Sequence, residues 1–319
     1  MESVLDWGVT LILWLQHRFS PELDLMFTII TRLGNEGFYL LLLPLIYWCV
    51  DRGQGARLAI LLVFSTYINS VSKALAHQPR PFQYDPAVRG IVDAGGGGFP
   101  SGHTQGAVVV WGYLMNGFRR PWLWVVGTIM MVFIPLSRVY LGVHFPTDLL
   151  GGYVIGAVLL FLYLWLEPPI EKWLVRRTVL WQLGAAVGAP LFLILAFIAR
   201  ETYIVGPAGT LMGLGIGIVL ERKWLHFEAD GPLNKKVFRF VLGVVMLMAV
   251  HGGLKYLFSS IGPETLFRFF RYLVTGFWIA FVSPWIFLKL RLAKEGSGRE
   301  RQLGHHRDML KKGHVDRSS

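Results

Sequence analysis

The sequence predicts an all-α fold, a polytopic membrane bundle of about nine spans preceded by an N-terminal interfacial helix. Of its 319 residues, 54% are hydrophobic and only 16% are charged, whereas charged residues make up about a quarter of an average soluble domain. The mean hydropathy is +0.49. Several apolar runs approach the roughly 20 residues that a helix needs to cross a bilayer.

The first element is an apolar stretch at residues 4–15, which is too short to span a bilayer comfortably. Acidic residues lie at its start and no small-residue cleavage site follows, so we do not expect a cleavable signal peptide. Trp7 and Trp14 suit the headgroup level of a membrane. These features favour a helix that lies in the interface.

Nine longer apolar runs follow, separated by charged or turn-forming residues. We expect spans at about 34–50, 57–76, 102–117, 122–140, 147–166, 180–199, 203–220, 237–257 and 269–290. In the seventh, Gly209, Gly213 and Gly217 recur every four residues, so one helix face can approach a neighbour closely. Packing within the chain is the favoured interpretation, and a homodimer through the C-terminal spans is the alternative.

Basic residues alternate between the predicted loops and give the orientation. The basic segments are 52–57, 119–120, 172–177, 222–236 and the tail after residue 290. The positive-inside rule places them in the cytoplasm. The loops on the opposite side are then 77–101, 141–146, 200–202 and 258–268. The net charge of +11 follows from this topology, so no nucleic acid partner is expected.

The chain is expected to divide into three parts. Residues 1–178 form a catalytic domain, residues 179–291 an accessory four-span bundle, and residues 292–319 a disordered basic tail. The joint is the loop 167–178, because consecutive prolines at its start are expected to stop the preceding helix. Cys49 is the single cysteine, which excludes an intramolecular disulfide framework.

Three short stretches place ionisable residues at the outer ends of spans, where each is costly near lipid unless it has a partner. In the first, Lys73 lies in the last turn of a span, and Pro79 and Pro81 stop that helix. The chain then turns, and Arg80 is expected to lie at the same outer end of the bundle as Lys73. Alone, Lys73 has an ordinary explanation, because a lysine at a helix end extends its amine to water.

The second stretch is Pro100-Ser101-Gly102-His103. Ser101 is placed to cap the helix that begins near Gly102, and the free backbone N–H groups of that helix end form an anion site. His103 follows at once. Either feature alone is most often structural.

The third stretch runs from Ser137-Arg138 through His144 to Asp148. The Pro146-Thr147 pair starts the next span, so Asp148 lies in its first turn and can reach back to His144. A carboxylate that accepts from one imidazole nitrogen fixes the tautomer and stabilises the cation that forms when the other nitrogen attacks phosphorus.

Together these residues are suited to phosphoryl transfer without a metal. Lys73, Arg80 and Arg138 can neutralise the charge on the equatorial oxygens. Asp148 is the single carboxylate in the cluster, too few for an oxygen-liganded cation, so no metal or other cofactor is expected. The second histidine, His103, is free to protonate the leaving oxygen and later to activate water.

The three motifs, complete and in this order, resemble those of the type 2 phosphatidic acid phosphatase family, in its integral-membrane lipid phosphatase branch. The resemblance covers about residues 20–170. It implies a metal-independent hydrolase that works through a phosphohistidine. The implied catalytic residues are His144, His103 and Asp148, and the implied phosphate-binding residues are Lys73, Arg80, Ser101, Gly102 and Arg138.

The predicted function is hydrolysis of a lipid phosphate or lipid pyrophosphate at the outer leaflet of a bacterial plasma membrane, with the active site on the extracytoplasmic side. By resemblance, the candidate substrates are undecaprenyl pyrophosphate, phosphatidylglycerophosphate, phosphatidic acid and sphingoid phosphates. Two alternatives remain: a lipid phosphotransferase, which differs in its acceptor, and a lipid transporter that retains the phosphate pocket. A transporter is expected to show broken helices in symmetric halves, and the sequence shows none.

Overall fold

The computed structural model describes residues 2–197, 204–258 and 264–296, which are almost entirely helical. The first eight helices are α1 Glu2–Phe19, α2 Asp24–Arg32, α3 Glu36–Leu45, α4 Arg52–Ala76, α5 Pro81–Tyr84, α6 Gly102–Phe118, α7 Pro121–Tyr140 and α8 Pro146–Val175. The others are α9 Val179–Phe197, α10 Val205–Leu220, α11 Leu233–Phe258, α12 Glu264–Phe277 and α13 Ser283–Lys289. The all-α prediction is confirmed.

Three π-helical segments and one small sheet complete the described secondary structure. The π-helical segments are Ile46–Val50 after α3, Glu221–Leu225 after α10 and Trp278–Val282 after α12. The strands β1 Phe227–Glu228 and β2 Lys294–Glu295 pair antiparallel. The first residues of the predicted disordered tail are therefore ordered against β1, and residues 297–319 lie outside the described residues.

Six helical segments in the described part are long and apolar enough to cross a membrane, and a bent pair raises the number to seven. The bent pair joins Asp24–Arg32 to Glu36–Val50 at 45°. The predicted count of nine is not confirmed. Two of the predicted spans correspond to α6 and α10, which have 17 and 16 residues and fall short of the roughly 20 that a bilayer requires.

The predicted N-terminal helix is present as α1, which is not among the candidate spans. Its apolar residues Val9 and Ile12 are buried in a cluster with Phe145, next to one of the motif histidines. Trp7 and Trp14 are exposed. The helix thus supports the turn that carries His144, and its location in the membrane interface stays a prediction.

The predicted helix stop at Pro168 and Pro169 is wrong, because α8 continues through both prolines to Val175. Two carboxylates flank the prolines and hold this segment in place. Glu167 and Glu171 both bind Arg57, at 2.7 and 2.6 Å. The ion pairs offset the backbone hydrogen bonds that the prolines remove.

The first and second parts of the chain share one hydrophobic core. Its buried side chains include Trp48 from the first part and Leu247 and Phe287 from the second. The indole nitrogen of Trp48 donates to the carbonyl of Ile279 at 3.0 Å. The division into a catalytic and an accessory part stays a prediction, but this structure packs the two as one bundle.

The glycine face of α10 packs against α12 within the chain. A Cβ atom added at Gly213 would overlap the carbonyl oxygen of Leu273, and one added at Gly209 would lie 2.5 Å from the carbonyl oxygen of Phe269. Close helix packing through this face is therefore observed. The homodimer alternative stays untested, and this face is already covered by α12.

Candidate active site

The three motifs meet at one end of the bundle, where four helix ends converge. α4 ends three residues after Lys73, and α6 begins immediately after Ser101. α7 contains Arg138 in its last turn, and α8 carries Asp148 in its first. Most of the motif side chains are buried: Arg80 and Arg138 are each 4% exposed, His144 is 2% exposed, and Ser101 and Asp148 are fully buried.

His144 is held between a carboxylate and a guanidinium. Its Nδ1 lies 3.1 Å from Oδ2 of Asp148, and its Nε2 lies 3.2 Å from Nη1 of Arg80. A guanidinium has donors only, so Nε2 accepts and the imidazole is neutral with its proton on Nδ1. The nitrogen that carries the lone pair therefore faces the cationic side of the site.

Burial and neighbouring cations keep His144 neutral. Desolvation is the first cause that lowers the pKa of His144 well below its usual range, and the charges of Arg138, Arg80 and Lys73 lower it further. A neutral imidazole is the nucleophilic form. The site thus presents the reactive form of this histidine without requiring an alkaline pH.

Asp148 is fixed by three donors. Beside His144, the backbone N–H of Phe145 donates to Oδ2 at 2.9 Å, and Nε2 of Gln78 donates to Oδ1 at 2.6 Å. Because both carboxylate oxygens are occupied, the orientation of the carboxylate is set before any substrate binds. Gln78 lies inside the first motif, but sequence analysis did not single it out.

Arg80 donates mainly to backbone carbonyls. Its Nε bonds the carbonyl of Gly96 at 3.1 Å, its Nη2 that of Gly95 at 2.6 Å, and its Nη1 that of Val143 at 2.8 Å. These acceptors carry no net charge, so the positive charge of Arg80 is not cancelled. Carbonyls from two loops orient the guanidinium beside His144.

Lys73 reaches the same glycine-rich loop. Its Nζ donates to the carbonyl of Gly97 at 2.5 Å. Gly96 has a φ of +71°, a conformation that glycine adopts without strain. The glycine quartet 95–98 therefore supplies carbonyl acceptors for two cations of the site.

Arg138 retains an unpaired donor in a buried position. Its Nη1 donates to Oγ1 of Thr31 at 2.5 Å. Its Nε is buried and has no hydrogen-bond partner among the described residues. A buried N–H without an acceptor costs free energy, so an anionic oxygen placed there would satisfy it.

Ser101 caps α6 as predicted. Its Oγ accepts from the backbone N–H of Thr104 at 3.4 Å and from the hydroxyl of Thr104 at 3.0 Å, so its own proton remains available to donate. Gly102 is the first residue of α6, and its N–H has no acceptor within the helix. A Cβ atom at Gly102 would lie 2.9 Å from Oδ1 of Asn69, so a larger residue here would displace the Asn69 side chain.

His103 packs on the turn between α2 and α3. Its Nε2 lies 2.6 Å from Oδ1 of Asn35. A Cβ atom added at Gly34 would lie 2.8 Å from the ring of His103. An amide oxygen accepts, so Nε2 is the donor and Nδ1 is the nitrogen that can exchange a proton with another group.

Sequence analysis missed four polar partners of the motif residues: Thr31, Asn35, Asn69 and Gln78. Three of them lie outside the motifs, and their contacts depend on how the helices pack. Gln78 could have been recognised from the sequence. It lies between Lys73 and Arg80 of the first motif, where a polar amide is expected to form a hydrogen bond. Among the described residues, no three His, Cys, Asp or Glu side chains are grouped to hold a metal ion.

Comparisons with known proteins agree with this architecture. Residues 54–171 match the model of the PAP2 superfamily, and residues 205–295 match that of the PAP2 superfamily phosphatase transmembrane extension. Phosphatidylglycerophosphatase B of Bacillus subtilis is 33% identical over 172 residues, which cover 48% of this chain and 79% of the relative.

Two further relatives extend across both parts of the chain. Lipid phosphate phosphatase delta of Arabidopsis thaliana is 24% identical over 289 residues, covering 81% of this chain and 68% of the relative. Sphingosine-1-phosphate phosphatase 1 of Mus musculus is 25% identical over 308 residues, covering 82% and 71%. The chain is therefore a helical, multi-pass membrane phosphatase. It belongs to the PAP2 superfamily, which confirms the predicted family and enzyme class.

Proposed function

We propose that this phosphatase hydrolyses a lipid phosphate or lipid pyrophosphate through a phosphohistidine on His144. The observation that carries the proposal is the neutral imidazole of His144, with Nδ1 on Asp148 and Nε2 facing the cations. The arrangement leaves one nitrogen for attack and one carboxylate to balance the charge that develops. Asp148 is thereby the orienting residue.

In the first step, Nε2 of His144 attacks phosphorus and the bond from phosphorus to the lipid oxygen breaks. Arg80, Lys73 and Arg138 stabilise the equatorial oxygens, and the unpaired Nε of Arg138 is an available donor. For this step Arg80 has to transfer its Nη1 donor from Nε2 to a phosphate oxygen. The hydroxyl of Ser101 and the N–H of Gly102 complete the phosphate site at the start of α6.

His103 supplies the proton that the leaving oxygen needs. With Nε2 donating to Asn35, an imidazole that also carries a proton on Nδ1 can release it to the lipid oxygen. Burial and the charges of Arg138, Arg80 and Lys73 disfavour that second proton in the free site, so His103 gains it when the phosphate anion binds. In the second step the same nitrogen takes a proton from water, the water oxygen attacks phosphorus, and the bond to Nε2 of His144 breaks. Inorganic phosphate leaves, and both histidines return to their starting states.

We place the active site on the extracytoplasmic side of the membrane. The charge pattern of the loops supports this side, because the segments rich in arginine and lysine are expected in the cytoplasm. The structure brings the basic residues Arg52, Arg57 and Arg222 of two such segments into ion pairs with helix carboxylates. A phosphatase with this orientation acts on lipids of the outer leaflet.

The substrate that we favour is a phosphate monoester. Two relatives that match over four fifths of the chain are named for lipid phosphate and for sphingosine-1-phosphate. Both matches run into the second part of the chain, whereas the match to undecaprenyl-diphosphatase of Sulfolobus acidocaldarius, which is named for a diphosphate, covers 54% of it. A shared second part supports a shared type of leaving group.

The test is release of inorganic phosphate by the purified full chain in detergent, from a panel of lipid monoesters and one lipid pyrophosphate. We expect turnover of at least one monoester, and loss of turnover in His144→Ala. Glu264→Gln is the matched control, because its carboxylate pairs with Arg268 outside the motifs. Turnover that survives in His144→Ala would refute the mechanism, and absence of turnover on the whole panel would refute the proposed substrates.

A further inference from the structure

A cavity lies at the connection between α8 and α9, at the end of the bundle opposite the active site. Its volume is about 520 Å³, and its lining residues are Pro169, Lys172, Trp173, Arg176 and Arg177. α8 carries Asp148 in its first turn and ends at Val175. Because a helix rises about 1.5 Å per residue, the cavity lies about 40 Å along α8 from that carboxylate, close to the thickness of a bilayer with its headgroups.

The three basic side chains of the cavity have no anionic partner. In the part of the chain that the structure describes, none of them forms an ion pair. The nearest carboxylates along α8, Glu167 and Glu171, are bound to arginines of other helical segments. Residues 172–200 contain no acidic side chain. The cavity therefore keeps a surplus of positive charge and attracts an anion.

Two tryptophans hold one of these cations in place. The rings of Trp173 and Trp181 meet edge to face, with their centroids 5.0 Å apart. The guanidinium of Arg177 lies 4.6 Å from the centroid of Trp173 and 5.9 Å from that of Trp181. An aromatic face orients a guanidinium without cancelling its charge. Tryptophan rings are also enriched at the headgroup level of membranes, where the phosphates of lipids lie.

An apolar stripe on α8 leads to the cavity. Phe161, Trp165, Pro169 and Trp173 follow one another at intervals of four residues, so they lie on one face of the helix. Phe161 and Trp165 are 69% and 66% exposed, so the described helices leave this face uncovered. A lipid acyl chain can pack on such a face, whereas a soluble anion gains nothing from it. Basic groups at the end of an exposed apolar stripe match an amphiphile with an anionic head.

We propose that this cavity binds the phosphate of an anionic phospholipid in the leaflet opposite the active site. Lys172 and Arg176 are one helical turn apart and can contact the same phosphate, while the apolar stripe contacts an acyl chain. A group of cations disfavours a headgroup that carries its own ammonium group, so the partner is a phospholipid with a net negative charge. The lining residues include no histidine or carboxylate, so this lipid is a bound partner and not a second substrate.

The experiment measures lipid selectivity by native mass spectrometry of the purified full chain in detergent. Phosphatidylglycerol and phosphatidylcholine with the same acyl chains are supplied in equal amounts, and the ratio of the two bound lipids is measured. We expect the wild type to retain phosphatidylglycerol about tenfold more than phosphatidylcholine, the effect of one charge-assisted hydrogen bond. The double variant Lys172→Gln with Arg176→Gln should retain the two lipids nearly equally.

The matched control is Arg119→Gln with Arg120→Gln, which removes the same charge at the same end of the bundle, in the α6–α7 connection. It should keep the wild-type preference. Lipid held at the active site contributes equally to both double variants, so their difference reports the cavity. An equal loss of preference in both would show attraction by general surface charge and overturn the inference, as would no loss in either. Retention of added inorganic phosphate by the wild type, without preference between the lipids, would indicate a soluble anion and also overturn it.

Discussion

The cations at the two ends of the bundle have different hydrogen-bond partners. At one end, Arg57 pairs with Glu167 and Glu171, and Arg52 pairs with Glu221 at 2.7 Å. At the other end, Arg80 and Lys73 donate to the carbonyls of the glycine-rich loop. A carboxylate cancels the charge of a cation, whereas a carbonyl only orients it.

The difference separates structural cations from functional ones. An arginine whose charge is already compensated contributes to the packing of helices and has little left to offer a ligand. An arginine held by neutral acceptors keeps its field directed at the space beside it. The carboxylates also divide into functional and structural groups. Asp148 accepts a hydrogen bond from the catalytic His144, whereas Glu221 forms an ion pair with Arg52.

The largest expected effect separates the two buried carboxylates. Asp148→Asn should lower kcat by about 10⁴, because an amide no longer fixes the tautomer of His144 or balances its positive charge. Glu221→Gln removes the charge partner of Arg52, and we expect it to lower the unfolding temperature while kcat changes less than about threefold. Initial rates and thermal unfolding in detergent check both variants. Equal losses of kcat in Asp148→Asn and Glu221→Gln would contradict the distinction between a functional and a structural carboxylate.

The arginines provide the next comparison. Arg80→Ala should lower kcat/KM by about 10² to 10³, the usual cost of removing one donor from a site of developing charge. Arg57→Ala should instead lower the free energy of unfolding by about 1 kcal/mol, since its ion pairs are partly solvated. Steady-state kinetics and thermal unfolding measure the two effects. A catalytic loss in Arg57→Ala as large as that in Arg80→Ala would contradict the account.

A smaller effect is expected at Gln78, which acts only through Asp148. Gln78→Leu removes the donor to Oδ1 and should lower kcat about tenfold, with KM nearly unchanged. Gln182→Leu is the matched control, because its amide bonds a backbone carbonyl of the α8–α9 connection. A change in KM alone at Gln78 would argue for direct substrate contact instead of positioning.

The smallest effect is a shift in pH dependence. Burial, and after it the charges of Arg138 and Arg80, lower the pKa of His144, so removal of Arg80 should raise that pKa and move the acid limb of kcat/KM to higher pH. Arg57→Ala lies at the other end and should leave the limb in place. The free substrate titrates equally for all variants, so their kcat/KM profiles compare the free enzymes. Arg80 also acts on His103, but the role of His103 as an acid sets the alkaline limb, so the acid limb reports His144. A shift to lower pH in Arg80→Ala would have the wrong sign.

Much of this arrangement was predictable from local sequence. The cap at Ser101, the helix start at Pro146 and the reach of Asp148 back to His144 are all contacts within four residues. Such contacts follow from helix geometry alone. The sequence also predicted that the three motifs lie together, because each motif is at the end of a predicted span on the same side of the membrane.

Contacts between distant helices were not predictable. Thr31 meets Arg138 and Asn35 meets His103 only because α2 and α3 pack beside the site. The predicted stop of α8 at Pro168 was wrong for the same reason, since Arg57 lies 110 residues from the carboxylate that it binds. Local propensity gave a helix stop there, and long-range ion pairs overrode it.

The central claim is that His144 is the nucleophile and His103 the proton donor and acceptor. It is tested most directly by rapid acid-free denaturation of His103→Ala after incubation with a lipid phosphate that has a good leaving group, followed by mass spectrometry of its peptides. We predict phosphate on His144, because attack no longer needs the acid while hydrolysis still needs the base. Phosphate on a residue other than His144, or none while the variant consumes substrate at the wild-type rate, would contradict the account.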